Sequence, residues 1–277
     1  MKIRVSDIIL NIFVWLGGII IVIPFLWMII SSFKTQAQIF QSPFSLPRAL
    51  DVQNYAALFA QWPFFAWYRN SVLVAVILTV LTVLLSALSG YGFSKYRFSG
   101  KGWLFAIIIM GLSIPFQSIL IPLYSEMARM HIANTYVSLI VPFIAPPIGI
   151  FLMRQFITTI PDELLDAGRI DGCHEFMLFV RIVLPLLKPA IAALAIITFV
   201  AAWGNFLWPL VMLNDSSKFT LPLGLYSLLS DASSGGDAQY GVMMAGAALA
   251  SLPPVAVFII MQRSFISGLT MGGARDS

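Results

Sequence analysis

Charge is what this sequence has least of. Asp, Glu, Lys and Arg make up 10% of its 277 residues, where a soluble domain carries about 25%. With a mean hydropathy of +0.91, that deficit places the chain among integral membrane proteins. Its one cysteine, Cys173, excludes an intramolecular disulfide and any multi-cysteine metal site. The two histidines, His131 and His174, fall on opposite sides of the membrane in the topology below, which argues against a shared metal site. No G-x-x-x-x-G-K-[ST] phosphate loop is present: Gly100-Lys101 is followed by Gly102 and lacks the earlier glycine. The chain is therefore not expected to hydrolyse ATP alone. There is no His-Glu-x-x-His motif and no nucleophile elbow, which removes the usual hydrolase chemistries.

What is present is a set of long apolar runs. A spanning helix needs about 20 predominantly apolar residues, and six segments qualify: about 8–30, 71–92, 103–124, 136–156, 184–211 and 240–262. Lys2 and Arg4 ahead of the first run suggest a signal peptide. The run is too long for a signal core and lacks a clear small-residue cleavage site, so it is read as a retained transmembrane helix. None of the six trimmed cores holds an Asp, Glu, Lys, Arg or His. Proton- and ion-coupled carriers generally place such residues within the bilayer, although backbone carbonyls can bind Na⁺ without them.

Orientation follows from loop charge. With the N-terminus in the cytoplasm, the inner side carries Lys2, Arg4, Lys95, Arg97, Lys101, Arg154, Arg169, Arg181, Lys188, Arg263 and Arg275. The outer side carries Lys34, Arg48, Arg69, Arg129 and Lys218. Both termini are thus predicted to be cytoplasmic. The outer loop at about 33–69 is expected to hold a short helix near Asn54–Gln61. The last outer loop, about 212–239, is read as a connection with a flexible turn at the Ser-Ser-Gly-Gly run 233–236. Prolines 24, 115, 122, 142, 146, 147, 253 and 254 lie in or beside spans, and each removes a backbone donor and favours a kink. Lipid-buried helices tolerate such prolines; equally, kinked helices can line a pathway that opens and closes. Pro146-Pro147 is the foremost candidate for such a kink.

The stretch Pro161–Pro185 is a charged island in this apolar chain. It carries Asp162, Glu163, Asp166, Asp171 and Glu175 together with Arg169, His174 and Arg181. Pro161 suits a helix start, and Asp162 and Glu163 suit the positive end of the helix dipole. Asp162, Glu163 and Asp166 share one face, with Leu164, Leu165 and Gly168 on another. Gly172 offers a left-handed turn, and Phe176–Leu184 forms a second helix leading through Pro185 into the fifth span. An amphipathic loop that is charged because it is wet would look like this. So would a docking helix whose apolar residues enter a partner's groove while its acids pair with that partner's Arg or Lys.

The island resembles the EAA loop of bacterial ABC-importer permeases, whose pattern is Glu-Ala-Ala, three residues, Gly, nine residues, Ile-x-Leu-Pro. Asp166-Ala167-Gly168 stands for Glu-Ala-Ala, Gly172 for the glycine, and Ile182-Val183-Leu184-Pro185 for the ending. Asp166 shortens the acid by a methylene, and Gly168 weakens the helix by up to about 1 kcal/mol relative to Ala. The resemblance extends along the chain through FSLPRALDVQNY (44–55), RNSVLVA (69–75), SGYGFSKYRFSGK (89–101), IPLYSEMARMHIANTY (121–136), RIDGCHEFMLFVRIVLPLLKPAI (169–191) and WGNFLWPL (203–210). It is nearest to sugar-importer permeases of the maltose type.

That resemblance implies an all-α integral membrane protein with the type I ABC importer permease fold. It would form a single permease domain over 1–277, with six transmembrane helices and a cytoplasmic coupling loop at about 157–183. It would be a multi-pass component of a prokaryotic inner membrane. It would import sugars together with a second homologous permease, two ATP-binding cassette subunits and an extracytoplasmic sugar-binding protein, with no nucleic-acid partner. No cofactor is expected on this chain; ATP and Mg would reside on the ATPase subunits, and the chain itself would not be an enzyme. The expected ATPase-coupling residues are Glu163, Asp166, Ala167, Gly168, Arg169, Asp171 and Gly172. Near the outer end of the fifth span, Trp203, Asn205, Phe206 and Trp208 are candidates for the substrate path, through sugar stacking or an outer gate. An interfacial aromatic belt is the alternative for Trp208. Cys173 and the methionine pairs 127/130 and 243/244 are expected to serve packing. The competing function is a self-contained secondary carrier or facilitator.

Overall fold

The computed structural model describes residues 5–47, 50–233 and 239–273. In chain order its helices are α1 (Val5–Ser31), α2 (Gln36–Gln41), α3 (Gln53–Gln61), α4 (Phe64–Lys95), α5 (Lys101–Gly111), α6 (Phe116–Arg129), α7 (Tyr136–Ile140) and α8 (Pro147–Thr158). There follow α9 (Asp162–Ile170), α10 (Glu175–Leu178), α11 (Leu184–Leu186), α12 (Lys188–Trp203), α13 (Leu207–Met212), α14 (Leu221–Ser233) and α15 (Tyr240–Gly273). Among the described residues there is no strand.

Three helices are long and apolar enough to cross a membrane unbroken: Leu10–Ser31, Phe64–Lys95 and Tyr240–Gln262. The other three expected spans are broken. Lys101–Gly111 and Phe116–Arg129 meet at 103°, Tyr136–Phe143 and Pro147–Thr158 at 44°, and Glu175–Leu186 and Lys188–Trp203 at 78°. Counting each bent pair as one span gives up to six. Proline explains where the breaks fall. Pro115 and Pro146 sit as extended caps (ψ 135° and 140°) at the starts of α6 and α8. A residue before proline is driven out of the helical region, as Pro146 is by Pro147. Pro185 and Pro189 flank the third break at Leu187. Pro146-Pro147, expected to be the foremost kink, makes the smallest of the three bends, whereas Pro253-Pro254 lie inside the continuous α15.

Other boundaries also shift. The fifth run does not continue to residue 211: α12 stops at Trp203, Gly204 caps it, and α13 is separate. The loop expected at 212–239 contains α14, and its Ser-Ser-Gly-Gly turn falls largely outside the described residues. The short helix expected near 54–61 is α3.

The chain divides into two compact units. The first comprises residues 1–68 and 223–252. In it the Trp67 ring lies against Gly224, where any Cβ would strike the indole. Asn54 donates to the carbonyls of Ser32 and Lys34 at 2.8 and 2.9 Å. Lys34 is fully buried and gives its ammonium to the carbonyls of Ser42 and Pro43. The apolar side chains of α1 are exposed around the helix, among them Phe13 and Trp15, as suits a helix bathed in lipid.

The second unit comprises residues 69–222 and 253–277. Its core joins α4, α8, α9, α10 and α12 through Ala87, Tyr91, Met153, Ile157, Leu165, Leu178, Phe179, Val183, Leu187 and Leu194. Gly90 lets α4 touch α8 closely: a Cβ there would lie 2.8 Å from the Arg154 backbone nitrogen. Small residues commonly open such backbone-to-backbone contacts between membrane helices.

Candidate functional site

The charged island is built by three local devices and held by one distant helix. The first device is its entry. α8 ends at Thr158, the chain turns through Ile160 and Pro161, and α9 begins with Asp162 and Glu163 in its first turn. Lys95, the last residue of α4, spans this turn, donating to the Ile160 carbonyl and, at 2.6 Å, to Asp162 Oδ1. The Lys95 side chain is only 7% exposed. Its hydrogen bond, then its charge, holds the Asp162 carboxyl below the usual carboxylate range.

The second device is the exit of α9. Gly172 adopts φ +82°, the left-handed conformation that glycine takes without a Cβ penalty. Cys173 N–H donates to the Gly168 carbonyl at 2.9 Å and Gly172 N–H to the Arg169 carbonyl at 3.0 Å. These are the paired 6→1 and 5→2 bonds of a Schellman motif. The third device restarts the helix: His174 Nδ1 accepts from Met177 N–H, and Glu175 lies in the first turn.

Glu175 is the hub. Its carboxylate accepts from Tyr96 at 2.6 Å, from Tyr91 at 3.2 Å, and from Arg169 through Nε at 2.9 Å and a second nitrogen at 3.3 Å. The hydrogen bonds from Arg169, then that from Tyr96, pull the Glu175 carboxyl down to about 2. Burial first, then the bond to Glu175, raises the Tyr96 phenol. Arg169 also donates to Asp166 at 2.7 Å, and its bonds to the two carboxylates raise its own pKa. An unbroken polar chain therefore runs from Asp166 through Arg169 and Glu175 to Tyr91 and Tyr96 at the end of α4.

The apolar side of α9 is divided differently from the expected pattern. Leu165 and Gly168 are buried, packed over Leu178 and Ile182. Leu164 is 45% exposed and faces a cleft of about 490 Å³ shared with Phe156, Pro161 and Leu186. Gly168 is more than a softened helix position: a Cβ there would lie 2.5 Å from Leu178 Cδ2 and 2.9 Å from Ile182 Cδ1. The second helix is not regular. A π-helical stretch at Phe179–Val183 follows α10, inserting Phe179 and Val183 into the core. The face left outward carries Glu163, Asp166, Ala167, Ile170 and Asp171, with Ile170 86% exposed and Phe176 nearby in sequence at 65%.

The structure thus unites Asp166, Gly168, Arg169 and Gly172, each expected at the site, in one framework. Tyr91, Lys95 and Tyr96 join them unforeseen. They lie 65 to 84 residues away from their partners, and nothing local in the sequence signals the pairing. Glu175 was visible only as one of the island's acids; its role as a hub was not.

Of the four aromatic-rich candidates near the end of α12, Asn205 lines a cavity. Trp203 is 5% exposed and stacks on Phe199 at 5.8 Å. Trp208 is wholly buried; its indole N–H donates to the Ser138 carbonyl at 2.9 Å, and Phe116 and Phe143 meet it edge-on. It fills the interior of the second unit rather than an interfacial belt. Phe206 leads into α13. The cavity, about 380 Å³, opens where the breaks beside Pro115, Pro146 and Gly204 converge, and Phe116, Gln117, Phe143, Thr198 and Asn205 are among its walls. No cluster of metal-binding side chains occurs among the described residues.

Residues 82–270 match the family model described as the binding-protein-dependent transport system inner membrane component. The chain belongs to that family. This membrane component is 38% identical over 260 residues to the arabinooligosaccharides transport system permease protein of Halalkalibacterium halodurans, covering 92% of each chain. It is 35% identical to the lactose transport system permease protein of Rhizobium radiobacter, covering 96% of both. It is 34% identical to the sn-glycerol-3-phosphate transport system permease protein of Yersinia pestis, again over 96% of both. Its fold matches a chain of a bacterial ABC transporter involved in import of the acidic polysaccharide alginate, with TM-score 0.83 and 22% identity, covering 96% of this chain and 99% of that one. The match to a chain of the alginate transporter in complex with its alginate pentasaccharide-bound periplasmic protein has TM-score 0.63 and 14% identity, over 92% and 93% of the chains. The membrane component is thus a multi-pass membrane protein of a transport family.

Proposed function

We propose that this chain is the permease subunit of an ATP-driven, binding-protein-dependent sugar importer of the type I fold. It sits in an inner membrane with both termini cytoplasmic and forms the translocation path with a second, homologous permease. The island 161–185 docks on ATPase subunits that bind ATP and Mg, and an extracytoplasmic binding protein delivers the sugar. The observation that carries the docking role is an outward acidic face on a helix whose two ends are both tied to α4. A helix so tethered transmits a push instead of absorbing it.

Asp166 is paired within the chain to Arg169. An incoming cation on an ATPase subunit therefore joins or displaces an existing pair. Ile170 and Phe176 supply apolar anchors. Sugar specificity is supported by the relatives whose names specify arabinooligosaccharides and lactose.

The test is co-purification and uptake. Asp166→Lys and Gly172→Pro are expected to insert normally yet lose ATPase subunits and ATP-dependent uptake. Normal uptake in both would remove the docking role. Solute movement by the purified chain alone, without ATP, would establish the carrier reading instead.

A further inference from the structure

We infer that Arg97, Lys101 and Arg154 form a binding site for the phosphate of an anionic phospholipid, placed where α5 enters the bilayer. On the topology proposed above this is the inner leaflet. The three cations come from separate places in the chain. Arg97 lies in the turn after α4, Lys101 opens α5, and Arg154 lies within α8. Contacts across the fold gather them. Lys101 donates to the carbonyls of Ser94 at 3.2 Å and Tyr96 at 2.8 Å, at the end of α4. Arg154 Nε donates to the Phe93 carbonyl at 3.2 Å, and its guanidinium lies 4.0 Å over the Phe105 ring. Arg97 and Arg154 are both within electrostatic reach of Lys101.

Basic loops are common on the inner side of membrane proteins, so charge alone assigns nothing. Here two of the three cations are fixed by the fold, and like charges held together favour an anion. Among the described residues no carboxylate forms an ion pair with any of the three. The acid that feels Arg97, Asp162, is already bonded to Lys95. Arg97 itself is exposed, its guanidinium open to a ligand. The surroundings make that ligand a lipid. α5 buries no residue, and Trp103, Leu104 and Ile107 are exposed along it, Trp103 by 79%. Tryptophan favours the headgroup level, so Trp103 in the first turn of α5 marks the membrane boundary beside Lys101. A phosphodiester there meets guanidinium forks, which suit phosphate oxygens, while its acyl chains run along the apolar side chains of α5. A choline headgroup carries the same phosphate but adds an ammonium that the cluster repels. Lys95 and Tyr96, which hold the 161–185 island, adjoin Arg97 in sequence. A lipid bound here braces the end of α4 from which the island hangs.

The test titrates short-chain phosphatidylglycerol, phosphatidylcholine and inorganic phosphate separately onto the purified full-length chain in a neutral detergent. Native mass spectrometry counts the bound species. Saturable binding of phosphatidylglycerol in preference to the other two is expected. Arg97→Gln should weaken it about fivefold, the ordinary worth of one cation at a membrane surface. Arg97→Gln with Arg154→Gln should weaken it about 25-fold, and Arg97→Lys should recover most of the affinity. Lys188→Gln, which removes an exposed charge elsewhere on the same predicted side, should leave it unchanged. Because Arg97 is exposed, Arg97→Gln decides the matter even where the Arg154 variant fails to fold. Equal affinity for phosphatidylcholine, equal or tighter binding of inorganic phosphate, or a wild-type affinity in Arg97→Gln overturns the site. None of these outcomes touches the importer reading, which the uptake assay tests separately.

Discussion

Lys95 Nζ lies 2.6 Å from Asp162 Oδ1, joining two residues 67 positions apart at the junction where α9 begins. The ammonium also donates to the Ile160 carbonyl, so one side chain holds the chain on both sides of Pro161. Lys95→Met keeps much of the buried stem and removes both bonds. The variant should lose about 1 kcal/mol of stability, the ordinary worth of the part-buried hydrogen bond to the Ile160 carbonyl. It should lose far more of its ATP-dependent uptake, because α9 then pivots at its entry. Thermal unfolding in detergent and uptake assays read the two effects.

The Glu175 hub sets a pH dependence. Its carboxyl is held down to about 2 by Arg169 first and Tyr96 second. A depressed carboxylate contributes its full stability above the ordinary Glu range, near about 4.3, and loses it as pH falls through the folded value. The Tm difference between wild type and Glu175→Gln should therefore be constant from about pH 8 to 5 and shrink between about pH 4.5 and 2. A difference that instead grows on acidification would show that the hub is not ionised.

Gly168 is caught between propensity and space. Alanine would favour the helix by up to about 1 kcal/mol, but its Cβ would sit 2.5 Å from Leu178 Cδ2. Gly168→Ala alone should be neutral or destabilising. Combined with Leu178→Ala, which opens the space, it should cost less than the sum of the two single changes. A double-mutant cycle on denaturant or thermal midpoints measures that coupling. Strict additivity would show that α9 does not press on Leu178.

Gly172 has open space around it but φ of +82°. Gly172→Ala should cost about 1–2 kcal/mol, because an L-residue is strained there, and Gly172→Asn less. Since the Schellman bonds close α9, hydrogen exchange at the Gly172 and Cys173 amides should accelerate in both, Ala more than Asn.

Thr82 caps a carbonyl that prolines orphan. The Phe143 carbonyl would ordinarily receive an N–H from residue 146 or 147, and both are proline. The Thr82 hydroxyl donates to it at 3.2 Å, and Thr82 is fully buried. Thr82→Val should destabilise by about 1–3 kcal/mol, the range for an unsatisfied buried polar group. Thr82→Ser should lie close to wild type. Thermal midpoints of the two variants decide it.

The six apolar runs and the island's helix, turn and second helix were legible because they rest on local signals: hydropathy over 20 residues, Pro161 and two acids at a start, and Gly172 at an end. What was not legible depends on contacts made across the fold. The run 103–124 reads as one span because hydropathy is blind to direction, and the backbone turns through 103° at Ser113–Pro115 without leaving apolar sequence. α14 was hidden inside a segment whose polar flanks resemble a loop. Leu164 and Leu165 are equivalent by spacing; only the location of Leu178 decides which of them is buried. Trp208 looked like a belt residue until Ser138, 70 positions away, was found to accept its N–H.

The outward tip of α9 has one more effect, on how much of this protein a cell can hold. Ile170 is 86% exposed and Phe176 65%, a sticky ending on an otherwise charged surface. Uncovered, such apolar area invites aggregation or proteolytic disposal. The steady-state level of the chain should then follow the supply of whatever covers Ile170, which would make the proposed docking surface also a sensor of stoichiometry.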